Sequence, residues 1–264
     1  MTLHFQKFGE TGSPIILIHG LFGSGANWRS VARELSEDHI VYLLDLRNHG
    51  ASPHFPSHTY VELASDIQEL VISEGLQDYI LCGHSMGGKA VMVNALMSDM
   101  FVDNQLRGIV IYDIAPIPYE HSHSDNLAAL MALDLSAIES RADADKKLKA
   151  SIPDNATRLF LLQSLAKDGN MFYWKLNLPV LKDYMADIIG FPTGLVVDKQ
   201  CIIPALFLYG GNSSFVKNDY HQVINQFFPN ARLEKLENAS HWVHIDERDK
   251  LIKSTKQFIQ KQFI

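Results

Sequence analysis

The chain has 264 residues, 47% of them hydrophobic, enough to bury one substantial core in a single domain of ordinary size. Its formal charge of −7, with acidic and basic residues interspersed and no lysine/arginine block, leaves no footprint for a nucleic-acid backbone. No apolar run reaches the roughly 18 to 20 residues that span a bilayer, and residues 1–10 show no signal-peptide pattern, so the expectation is a cytoplasmic chain with no membrane span.

In chain order, the first apolar run is Pro14 to His19, nearly all branched aliphatics, followed by the glycine-bearing loop His19-Gly20-Leu21-Phe22-Gly23-Ser24. Ile40 to Asp45 is a second such run and Tyr79 to Gly83 a third. Leu106 to Asp113, Ile203 to Tyr209 and Arg232 to Leu236 complete the set. The first three are continuously apolar rather than alternating, as in strands covered on both faces, and they are spaced by helical patterns. That combination predicts an α/β architecture with a mostly parallel, doubly wound sheet. Cys82 and Cys201 sit in apolar surroundings and are expected to be buried, reduced thiols.

Between Ile114 and Gln200 the pattern changes. Helical periodicity shows in Asn126 to Leu135 and Ala156 to Leu165, no strand stands out, and Pro116, Pro118, Pro192 and Gly194 punctuate the ends. We read residues 115–198 as a helical cap inserted into a core formed by residues 1–114 and 199–264, lying over the carboxyl ends of the strands.

The strongest chemical signal is Gly83-His84-Ser85-Met86-Gly87, a G-x-S-x-G pattern between an apolar strand and a helix-compatible run. The flanking glycines let strand and helix approach closely in a tight turn, which lifts the Ser85 hydroxyl clear of the sheet. The backbone N–H of Met86 then becomes one oxyanion donor. The second is expected from the loop after the first strand, with Leu21 preferred and Phe22 as second choice. His19 and Phe22 are candidate substrate-binding residues of the same loop. A serine needs a base within reach. Among twelve histidines, His241 stands where one is needed, in the loop after the last predicted strand, whereas His84 and His244 read as structural.

With these elements in place the chain resembles the α/β-hydrolase superfamily and, more narrowly, its small bacterial acyl-CoA esterases. The resemblance rests on HGLFGSGANW, DLRNHGAS, GHSMGGKAVM, DIAP, YGGNSSFV and ASHWVH in that order, and it covers the full length except the cap. It implies hydrolysis of a small-molecule carboxylic ester or acyl-CoA thioester through an acyl-enzyme, with no cofactor and no metal, by a monomer or homodimer. Where many relatives carry the triad acid, after ALFLYG, this chain has Gly211-Asn212-Ser213-Ser214 and no acid before Asp219. The resemblance supplies Asp113, at the end of the fourth predicted strand, as the other candidate acid. It also implies that Arg47 of DLRNHG faces the pocket mouth and holds a phosphate or carboxylate, although that guanidinium can equally tie loops together. Rival readings are carbon–carbon bond hydrolysis or lyase chemistry on the same fold, and a ligand-binding receptor without turnover.

Overall fold

The computed structural model describes residues 3–98, 105–120 and 123–263. Among the described residues nine strands form: β1 Phe5–Phe8, β2 Pro14–Ile18, β3 Ile40–Leu44, β4 Tyr79–His84, β5 Leu106–Tyr112, β6 Leu165–Asp168, β7 Met171–Trp174, β8 Ala205–Gly210 and β9 Ala231–Leu236. Seven of them make one sheet in the order β1-β3-β2-β4-β5-β8-β9, parallel throughout except β1, which runs antiparallel to β3.

The helices are α1 Arg29–Leu35, α2 Tyr60–Ser73, α3 Met86–Leu96, α4 Ser124–Ala132, α5 Arg141–Leu148, α6 Asn155–Leu161, α7 Leu178–Asp183, α8 Met185–Ile189, α9 Thr193–Val196, α10 His221–Phe227, α11 Val243–Asp246 and α12 Arg248–Gln260. The period-two geometry of β2 divides its side chains between two cores. Ile15 and Leu17 pack with Val31 and Leu35 of α1 and Leu251 and Ile259 of α12. Ile16 and Ile18 pack with Leu63 and Ile67 of α2 and Met92 of α3 on the other face. Burial on both faces explains the unbroken apolar runs of the central strands.

Two sequence expectations change. β1 was not among the predicted runs: FQKF is a short, half-buried edge strand whose pattern is weak, and only its antiparallel register with β3 defines it. The segment between β5 and β8 is not wholly helical. Besides α4 to α9 it contains the β6–β7 hairpin, paired Leu165 to Trp174 through Asp168 to Met171 around Gly169 at φ +54°. The Met-Phe-Tyr-Trp run of β7 has the aromatic content of a strand, but next to a four-residue partner it offers too little length to be recognised. β5 and β8, which flank this segment in the chain, are hydrogen-bonded neighbours in the sheet.

Candidate active site

The elbow is built by crowding. Ser85 links β4 to α3 at φ +52°, ψ −120°, a region costly for a residue with a side chain, roughly 1–3 kcal/mol. A Cβ on Gly83 would lie 2.4 Å from the Gly87 carbonyl oxygen, and one on Gly87 would lie 2.4 Å from that of His19. Only glycine at these two positions lets strand, helix and the loop after β2 meet so closely. α3 is buried on every side, which holds the turn rigidly.

The same crowding brings the loop after β2 against the serine. A Cβ on Gly20 would stand 3.1 Å from Ser85 Cβ. The loop is fixed by Asp45, at the end of β3, whose carboxylate accepts from the Gly25 N–H at 2.7 Å and the Ala51 N–H at 2.9 Å. Phe22, at φ +64°, donates its N–H to His49 Nε2 at 3.2 Å. That amide is therefore committed, while no partner within the described residues takes the N–H of Leu21 or of Met86 at the first position of α3.

His241 lies in the loop after β9. Its Nδ1 donates to Asp113 Oδ2 at 2.7 Å. Asp113, itself strained at φ +50° just past β5, has a fully buried carboxylate. Its Oδ1 accepts from the Gly210 N–H at 2.9 Å, and Oδ2 also accepts from the Ser213 hydroxyl. The Phe215 ring stacks on the His241 imidazole at 3.8 Å between centroids, and His84 Nε2 donates to the His241 carbonyl at 2.9 Å, so both ring and backbone of His241 are held. Asp219, the alternative acid, is exposed on a turn at 218–220 and makes no contact with His241. Neither Ser213 nor Phe215 was singled out from the sequence, although both lie in the YGGNSSFV motif. Their roles depend on where the chain turns after β8.

Ser85 and His241 line one cavity of about 240 Å³, with Leu21, Phe22, Trp28, Phe160 and Trp242 among its walls. His19 also reaches the wall, but its ring is occupied: Nδ1 donates to the Gly20 carbonyl at 2.8 Å and Nε2 accepts from the Leu46 N–H at 3.0 Å. Burial holds His19, His49 and His84 below the ordinary imidazole range, and takes His58 to about 3 and His244 to about 4. These five rings are neutral at neutral pH and act as fixed hydrogen-bonding or packing groups. Trp28 stacks on His244 at 4.3 Å between centroids, behind the loop.

The expectation that Arg47 faces the pocket mouth is corrected. Its guanidinium is buried, bidentate to Asp66 at 2.6 and 2.8 Å, paired with Glu62 at 3.0 Å and stacked over the Phe55 ring. Two carboxylates on α2 complete its fork, so it ties the loop after β3 to that helix and is no anchor for a phosphate. Among the described residues no group of three or more His, Cys, Asp or Glu side chains is arranged to hold a metal ion, and no helix is long and apolar enough to cross a membrane.

A family profile described as alpha/beta hydrolase fold matches residues 13–248. Esterase YbfF of Escherichia coli is 36% identical over 252 residues, covering 95% of this chain and 94% of its own. The mouse protein named sn-1-specific diacylglycerol lipase ABHD11 is 35% identical over 254 residues, covering 93% of this chain and 80% of its own. A solved structure named marine microorganism esterase superposes with a TM-score of 0.91 at 34% identity, covering 97% of this chain and 99% of its own.

Proposed function

This chain belongs to the α/β-hydrolase family, and from that premise we propose that it is a serine hydrolase of carboxylic esters and acyl-CoA thioesters, working through an acyl-enzyme on Ser85. The observation that carries the reading is the 2.7 Å bond from His241 Nδ1 to the buried Asp113 carboxylate, with Ser85 on the wall of the same cavity as His241.

With Nδ1 donating to Asp113, the neutral His241 presents an unprotonated Nε2, the form that can remove a proton from Ser85 Oγ. Oγ attacks the acyl carbonyl carbon and the carbonyl electrons move onto oxygen. That oxyanion is received by the uncommitted N–H groups of Leu21 and Met86, each worth about 3 kcal/mol in the transition state. Collapse of the adduct breaks the bond to the alcohol or thiol, which takes the proton from His241 Nε2. Water then repeats the sequence on the acyl-serine, with His241 first as base and then as acid, and releases the carboxylic acid. Asp113 stays ionised and stabilises the imidazolium formed at each step.

Residues 115–198 serve as the cap. Phe160 of α6 meets Trp242 edge-on at 4.4 Å between centroids, so the insertion supplies one wall of the cavity next to His241. Phe22 also lines that cavity. The test is labelling by a fluorophosphonate, together with steady-state turnover of p-nitrophenyl esters and acyl-CoA thioesters. Wild type should label and turn over, and Ser85→Ala should do neither. Turnover that survives Ser85→Ala would overturn the reading. A folded wild-type protein that labels at Ser85 but hydrolyses neither series would shift it to another bond on the same serine.

A further inference from the structure

Ser85 stands on the wall between two cavities of unequal size. The larger, about 240 Å³, is lined by His241, Trp242, Phe160 and Thr157. The smaller, about 20 Å³, is lined by Met86, Tyr60, Ile114, Tyr119, Ile188 and Lys89, and His241 is not on its wall. Ser85, Leu21, His123 and Phe215 border both.

Acyl transfer divides a substrate at the serine, and proton delivery assigns the halves. The leaving oxygen or sulfur must take its proton from His241, so the leaving group has to extend on the side His241 lines. The acyl half stays with the oxyanion donors and is directed to the side Met86 lines. We infer that the small cavity is the acyl pocket, that Ile188, Tyr119 and Lys89 close its far end, and that the substrates are esters or thioesters of short acyl chains, acetyl or propionyl, joined to a larger alcohol or thiol.

The size follows from the volume. A single water requires about 10–15 Å³ of space, so a cavity of about 20 Å³ admits one or two heavy atoms beyond the carbonyl. The end wall is also tethered. Tyr60 Oη donates to the Ile188 carbonyl at 2.6 Å, and Lys89 Nζ donates to the carbonyls of Ile189 and Gly190 at 2.8 and 2.5 Å. Tyr119 Oη donates to the Phe215 carbonyl at 2.6 Å and accepts from the Ala115 N–H at 2.9 Å. Pushing α8 outward to admit a longer chain would strand the buried Lys89 nitrogen and a buried hydroxyl, which makes the wall a stiff limit rather than a yielding one.

This assignment rests on the acyl-enzyme reading, and the experiment separates the two. Two ester series are measured: p-nitrophenyl esters with acyl chains of two to eight carbons, and acetates of alcohols from ethyl to naphthyl. Wild type should lose about tenfold or more in kcat/KM for each methylene beyond the limit in the first series, since a methylene is discriminated by roughly 10–200-fold in a closed pocket. The second series should tolerate growth. Ile188→Ala should move the acyl limit upward by one or two carbons, and Phe160→Ala should alter the alcohol series and leave the acyl limit where it is. Octanoate hydrolysed as well as acetate by wild type would overturn the assignment without any variant. So would an acyl profile moved by Phe160→Ala but not by Ile188→Ala. Failure of Ser85 to take a fluorophosphonate would instead bring down the acyl-enzyme reading itself.

Discussion

Replacing Asp113 by asparagine exchanges one carboxylate oxygen for an NH₂ group and moves one proton on His241. The carboxylate now accepts three bonds, from Gly210 N–H on Oδ1 and from Ser213 and His241 on Oδ2. The Gly210 amide can only donate, so an asparagine in this place must turn its carbonyl oxygen toward it, which leaves the NH₂ facing His241 Nδ1 and Ser213 Oγ. Ser213 can rotate its hydroxyl to accept. His241 can satisfy an NH₂ donor only with an unprotonated Nδ1, which places the proton on Nε2 and removes the base from the serine. In the serine-protease template this tautomer change lowers kcat by about 10⁴-fold, equivalent to about 5.4 kcal/mol at about 1.36 kcal/mol per factor of ten. The assay is kcat on p-nitrophenyl acetate at neutral pH, with thermal unfolding run alongside to show that the isosteric variant folds. Asp219→Asn, on the exposed turn, should leave kcat unchanged. An Asp113→Asn enzyme that keeps a kcat within about tenfold of wild type, which is far from the template value, would refute the role given to Asp113.

Gly87→Ala should disrupt the elbow, because the new methyl would fall 2.4 Å from the His19 carbonyl oxygen, which belongs to the backbone; overpacking of this kind costs about 1–3 kcal/mol, read as a lower urea midpoint with loss of fluorophosphonate labelling. Arg47→Met should destabilise the fold by about 3–5 kcal/mol by leaving Asp66 buried without its partner, and the ratio of KM values for an acyl-CoA and a simple ester should not move; a selective rise in KM for the CoA substrate would return Arg47 to the pocket mouth. Lys89 is held at about 7 by burial, against an ordinary value of 10.5. Its folded value is the lower one, so between about pH 7 and 10.5 the unfolded chain binds more protons and this residue's contribution to stability rises with pH. Urea midpoints of wild type and Lys89→Met at several pH values across that window should diverge in favour of wild type as pH increases, and parallel curves would contradict the assignment.

The parts of the fold legible from sequence were those in which a local pattern and a global requirement coincide. PIILI, IVYLL and YILCG are continuous because their strands are covered on both faces, and G-x-S-x-G is recognisable because only glycine survives the approach of Gly87 to the His19 carbonyl. β1 and the β6–β7 hairpin escaped because four-residue, half-exposed strands carry too few alternations to register, and their identity depends on partners elsewhere in the chain. At the site, spacing left Leu21 beside Phe22 as alternatives, and the family resemblance left Asp113 beside Asp219, and Arg47 equally suited to a ligand or to a loop.

The sequence by itself therefore determined the parallel central strands of the sheet, the strained turn at Ser85 and the loop that carries His241, since these follow from residue types read a few positions at a time. The tertiary structure decided which amide remains free, because His49, 27 residues away, takes the N–H of Phe22. It decided which carboxylate meets His241, because β5 and β9 deliver Asp113 and His241 to one sheet edge across 128 residues of chain. It turned Arg47 inward, because two carboxylates on α2 face it. Each of these outcomes depends on which donor meets which acceptor across the fold, and a one-dimensional pattern does not carry that pairing.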